Sequence, residues 1–210
     1  MEIVQKITIY DILGYTFPGI ILIGALIVRY HCKFVFVNFD NGYVIAFIVI
    51  LGYALGMVIA QLSKLVEWFV KQCMDEDNES AKNEIDRIGC ATITKAMKKA
   101  GIIEPNRKEL SRKEIENYYI YIFANIQIDP VYSRIHNYAS SELVCKNMSV
   151  VCFISSLLTY RVQTLICDEL WVLLGMGASI LFLKRYIMNK ERKEDYTIDW
   201  FVQKYLAQES

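Results

Sequence analysis

Charge of either sign is missing from four stretches of this chain, residues 12–28, 44–63, 148–160 and 170–183. An ordinary water-soluble domain does not read this way, because its apolar residues recur at helical or strand spacing instead of filling unbroken blocks. Histidine is scarce as well: His31 and His136 are the only two. The six cysteines (32, 73, 90, 145, 152 and 167) form no Cys-x-x-Cys pair and no Cys/His cluster of metal-binding spacing. No metal and no cofactor are therefore expected. Lysine plus arginine and aspartate plus glutamate both count 23, so net charge points to no polyanion partner and to no DNA. A glycine-rich phosphate loop, an alternating strand pattern and a catalytic motif are all lacking. So is a cleavable signal: residues 1–11 carry three charges before the first apolar run, and no small-residue cleavage site follows it. Asn78-Glu79-Ser80 and Asn147-Met148-Ser149 match the glycosylation pattern, but three residues are a weak signal, read here as chance.

What is present is hydrophobic: 54% of the chain. The nineteen residues VIAFIVILGYALGMVIAQL, 44–62, carry no charge. A bilayer core of ~30 Å needs about 20 helical residues at 1.5 Å each. Gly52, Gly56 and Ala60 recur every four residues along this span and mark a face that another helix can approach closely. Upstream, YDILGYTFPGIILIGALIV (10–28) is a second span, interrupted by Pro18 and Gly19. Proline removes a backbone donor and crowds the preceding turn. Residues 2–13 are accordingly read as an interfacial helix bending into the membrane at 14–19, with one kinked helix as the alternative. The aromatic-rich segment 29–43 between the two spans suits an interfacial loop.

Residues 64–147 hold 13 basic and 13 acidic residues and read as a helical domain in water. Asn78–Ser80 starts a helix along Ala81, Ile85, Ile88, Ala96 and Met97, which Gly101 stops. Ser111-Arg-Lys-Glu114 is a capping box that opens a second helix through Ile115, Ile122 and Ile126. Asp129-Pro130 begins a third, unbroken from Val131 to about Tyr160, which would couple the aqueous part to the membrane. Two apolar runs follow, 148–160 and 171–183, only thirteen residues each. Either both helices extend past these cores and meet in a tight hairpin, or the pair is re-entrant. With two hairpins, one side of the membrane holds 20 of the 23 Lys and Arg, and the opposite loops hold Arg29, Lys33 and Arg161. By the positive-inside rule both termini are cytoplasmic. The expectation is an all-α integral membrane protein with four membrane helices. Its parts are a hairpin over 1–63, a cytoplasmic helical domain over 64–147, a second hairpin over 148–185 and a tail helix over 186–210. The tail lies on the membrane or docks on the helical domain.

Two groups of residues stand out as candidates. Arg161, Gln163, Asp168 and Glu169 belong at the outer tip of the second hairpin. There they pair and reach water, or ring a water-filled path in the outer half of the membrane. Arg134, His136, Asn137 and Tyr138 precede the third span and form a candidate cytoplasmic contact for RNA or a nucleotide, or a solvated helix face.

The order of elements, with its "IYDILGYTFPGIIL" start and its "RIHNY" helix entering a second hairpin, resembles small membrane proteins encoded beside bacterial anti-phage systems. Among these are the accessory membrane proteins of type VI-B CRISPR systems. The Arg-x(4–6)-His ribonuclease motif that some of them carry is not matched here, where Arg134 stands two residues before His136. The resemblance implies a non-enzymatic inner-membrane homo-oligomer that perturbs the membrane when its CRISPR effector partner is triggered. The alternatives are a membrane scaffold recruiting a soluble partner and an effector gated by a nucleotide second messenger.

Overall fold

The computed structural model describes residues 9–30, 42–73, 79–126, 132–160 and 168–206. Among them there is no strand, and eight helices account for nearly all of the backbone. These are α1 (Ile9–Tyr30), α2 (Gly42–Cys73), α3 (Glu79–Ile88), α4 (Cys90–Lys99), α5 (Arg112–Asn117), α6 (Tyr119–Ile126), α7 (Tyr132–Thr159) and α8 (Asp168–Leu206). Four of them, α1, α2, α7 and α8, are long and apolar enough to cross a membrane. The chain divides into two compact units, Met1–Cys73 with Ser140–Ile187, and Met74–Ala139 with Met188–Ser210.

In the first unit α1 continues through Pro18 without a break. The second segment, α2, has 32 residues and so outruns its apolar core. Its outer surface is large and apolar: Ile50 is 68% exposed and Leu65 64%, and on α8 Leu173 and Leu181 are both 70% exposed. In water this would be an aggregating surface; in hydrocarbon it costs nothing. The thirteen-residue runs are embedded in longer helices, of 28 residues in α7 and 39 in α8.

The second unit is built as a water-soluble core. Ile85, Ile93, Met97, Ile115, Ile122, Ile126 and Ile135 are at most 1% exposed and pack together with Ile198 and Phe201 of α8. Each buried side chain of this size contributes about 1.5–3 kcal/mol. The tail is thus docked on this core.

Local chemistry sets the breaks. The helix expected from Ala81 to Met97 is split, because Gly89 adopts φ 87, a left-handed conformation that favours glycine. The end of α4 is a Schellman motif: Gly101, at φ 70, donates to the Lys98 carbonyl at 3.1 Å, and Ile102 donates to that of Met97 at 3.0 Å. At the start of α5 the Ser111 N–H donates to Glu114 Oε2 at 2.9 Å and its hydroxyl donates to the same oxygen at 2.7 Å. These bonds hold the Glu114 carboxyl below the usual carboxylate range. Asp129-Pro130 lies outside the described residues. A charged linker is expected at the start of the tail, yet α8 runs straight through Lys190–Asp195. Lys, Glu and Arg are good helix formers, and no glycine or proline interrupts them.

Candidate functional site

The first unit concentrates its unusual chemistry around Pro18. In an α-helix the N–H of residue 18 would donate to the carbonyl of residue 14. Proline has no N–H, so the Gly14 carbonyl loses its partner. Within a membrane no water replaces it, and an orphaned carbonyl costs roughly 1–3 kcal/mol. Asn147 of α7 answers this: its Nδ2 donates to the Gly14 carbonyl at 3.1 Å. The Asn147 side chain is fully buried, 0% exposed, and its Oδ1 has no hydrogen-bond partner.

On the other side of α1 the backbone of α2 comes close. A Cβ on Gly19 would run into the carbonyl of Gly52, and one on Gly56 into the backbone of Tyr15. Only glycine permits this approach. Tyr15 and Tyr53 meet edge to face beside it, with ring centroids 5.7 Å apart. One turn further along α2, Ala60 is half-buried and its carbonyl accepts the Ser63 hydroxyl at 2.9 Å. Gly19, Gly52 and Gly56 are therefore consumed in the contact between α1 and α2 within one chain.

A polar seam joins α7 to α8. Ser149 Oγ donates to the Ser179 carbonyl at 3.0 Å, and Ser179 Oγ donates to the Ser149 carbonyl at 2.9 Å. Further along, a Cβ on Gly175 would strike the Ser156 hydroxyl, so the helices stay close. Near the middle of α7 Lys146 pairs with Glu67 of α2 at 3.3 Å. The hairpin-tip candidates Arg161 and Gln163 lie outside the described residues. Asp168 opens α8, and Glu169 follows it in an exposed position.

The four candidates on α7 belong to the second unit. Tyr138 stacks on Tyr196 of α8, centroids 5.5 Å apart and planes at 12°, and the Arg134 guanidinium lies 5.9 Å from the centre of the same Tyr196 ring. Arg134 and Tyr138, four residues apart, share a helix face. His136, two residues on, points elsewhere by helical geometry and is half-buried, while Asn137, three residues on, flanks that face in an exposed position. A polar cavity of about 540 Å³ adjoins this stack, lined by Glu84, Arg87, Arg192, Asp195 and Asp199 together with Tyr138 and Tyr196. Arg87 is committed to Glu84 and, at 3.1 Å, to Asp199. Its three carboxylates outnumber its two guanidinium groups, so the cavity offers no net attraction to phosphate. Among the described residues there is no group of three His, Cys, Asp or Glu placed to hold a metal.

Sequence reasoning missed Asn147, which it assigned to the aqueous segment. The usable signal was Pro18 itself, which announces an orphaned carbonyl that some nearby donor must meet. Tyr196, the ring on which Arg134 and Tyr138 converge, gave no signal beyond being aromatic. Comparison with protein-family models, curated proteins and solved structures returns no match.

Proposed function

We propose that the protein is a non-enzymatic effector of the bacterial inner membrane, with both termini cytoplasmic, that oligomerises and forms or gates a pore. Phage defence beside an RNA-targeting CRISPR nuclease is the setting that the resemblance of its sequence implies. The observation that carries the pore reading is the polar seam of α7 and α8. Asn147, Ser149, Ser155, Ser156, Thr159 and Ser179 put an amide and five hydroxyls inside segments apolar enough to span a bilayer. Polar groups at such depth face a bundle interior or a water path. Because the glycine seam is spent inside the chain, subunits meet through the apolar faces of α2 and α8 instead.

A voltage-sensitive dye in bacteria expressing the full chain, alone and under phage challenge with its neighbouring genes, tests this. The expected result is triggered depolarisation that Ser149→Val with Ser179→Val reduces. A steady potential under every condition would move the weight to a scaffold. One feature favours that second reading: on α6 Ile120 is 74% and Tyr121 60% exposed, and Tyr121 lines an open cleft of about 700 Å³ with Asn125, Lys204 and Tyr205. A soluble partner recruited there would be recovered by pull-down without ion leakage.

A further inference from the structure

Between α1, α7 and α8 of the first unit lies a cavity of about 430 Å³, bounded toward one end by Val28, Thr159 and Trp171. Ligand pockets run to ~300–1,000 Å³, so this one is large enough to be occupied. Three hydroxyl residues stand in its wall, Ser155, Ser156 and Thr159. Two of the hydroxyls are turned back on their own helix: Ser156 Oγ donates to the Cys152 carbonyl at 2.7 Å and Thr159 Oγ1 to that of Ser155 at 2.9 Å. These two residues therefore present carbon to the cavity, as do Val28 and Leu174. Ser155 Oγ is buried and has no hydrogen-bond partner. The wall is therefore apolar, and the occupant it fits is an apolar chain.

The end of the cavity bears the marks of a membrane–water boundary. Tyr30, Tyr160 and Trp171 are 68%, 48% and 54% exposed, an aromatic group of the kind that sits at headgroup level. Arg29, next to Val28, is exposed, and its Nη1 donates to the Tyr160 carbonyl at 3.4 Å. That long bond leaves most of the guanidinium's five donors for an anion.

We propose that this cavity is a site for one anionic phospholipid. One acyl chain fills the space between Val28 and Leu174, and the phosphate pairs with Arg29. The site is independent of any pore: it needs only the contacts of a single chain.

The test reconstitutes the full chain in vesicles of equal phosphatidylglycerol and phosphatidylcholine, extracts it in mild detergent and counts retained lipid by native mass spectrometry. The expected result is one phosphatidylglycerol per chain, favoured over phosphatidylcholine about tenfold, the scale of one charge-assisted contact. Arg29→Gln, an exposed change that leaves the bundle intact, brings the two lipids to equal retention, and Val28→Phe, which fills the cavity, removes the retained lipid. Equal retention by the unaltered chain, or a preference untouched by Arg29→Gln, overturns the proposal. So does a lipid count that Val28→Phe leaves unchanged. A lipid-free dimer that Val28→Phe breaks also overturns it, and assigns the cavity to a second copy of the chain.

Discussion

The two units solve the same problem, holding helices together, by opposite means. In the second, isoleucines from α3 through α8 meet in one buried apolar core. In the first, α1 and α2 touch backbone to backbone at Gly19, Gly52 and Gly56, α7 reaches α1 with an amide, and α7 meets α8 through paired serines. Solvent explains the difference. In water, removing an isoleucine side chain from solvent is itself the driving force. In lipid the same side chain is as content outside as inside, so association falls to close packing and to hydrogen bonds that hydrocarbon cannot replace.

If that contrast is right, equal truncations have unequal effects in the two units. Ile93→Ala or Ile122→Ala in the second unit should cost about 2–5 kcal/mol by cavity formation. Ile50→Ala or Leu173→Ala in the first, on apolar surface that the chain itself leaves uncovered, should stay within about 0.5 kcal/mol when the monomer is unfolded. Chemical unfolding in detergent micelles, followed by circular dichroism, compares them, and equal losses would break the contrast.

Glycines sharpen it from the other direction. A side chain at position 52 meets Ile20 and the α1 backbone, and one at 19 meets the Gly52 carbonyl, whereas Gly24 and Gly177 have nothing within 4 Å of an added Cβ. Gly19→Leu or Gly52→Leu should cost at least the ~1–3 kcal/mol of overpacking, since backbone cannot step aside. Gly24→Leu should leave the melting temperature nearly unchanged. A smaller effect separates the units by pH. Glu114 in the second unit is held below its usual range by Ser111. Its contribution is therefore present above the ordinary glutamate pKa and is lost as pH falls through the lowered value. Acidification should weaken the native chain more than the Glu114→Gln variant, as read from melting temperature against pH.

Much of this was legible in the sequence, for reasons that differ by element. The apolar blocks announced four long helices because charge is so costly in a membrane that its absence is informative. Ser111-Arg-Lys-Glu114 and Gly101 marked a helix start and a helix stop by chemistry local to a few residues. The break at Gly89 was not legible, since a glycine within a helical pattern is tolerated as often as it ends one. The continuity of α8 was hidden by charge: Lys190–Asp195 reads as a linker by polarity and as a helix by propensity, and propensity won. Pro18 announced an orphaned carbonyl, but the donor that meets it is Asn147, 129 residues later, and no local pattern connects the two. The stack on Tyr196 was invisible for the same reason. What the site residues share is thus long-range pairing, the part of a structure that a single sequence encodes least openly.

Asn147 supplies to Gly14 the hydrogen bond that Pro18 withholds. A double-mutant cycle of Pro18→Ala and Asn147→Leu, measured by unfolding in lipid nanodiscs, tests it most directly. With Pro18 in place, Asn147→Leu should cost about 1–3 kcal/mol, the penalty of a buried orphaned carbonyl. With alanine at 18 the helix donates its own N–H to Gly14, and Asn147→Leu should then cost almost nothing, or even stabilise by removing the unpartnered Oδ1. Equal costs in both backgrounds would contradict the account and reduce Asn147 to a packing residue.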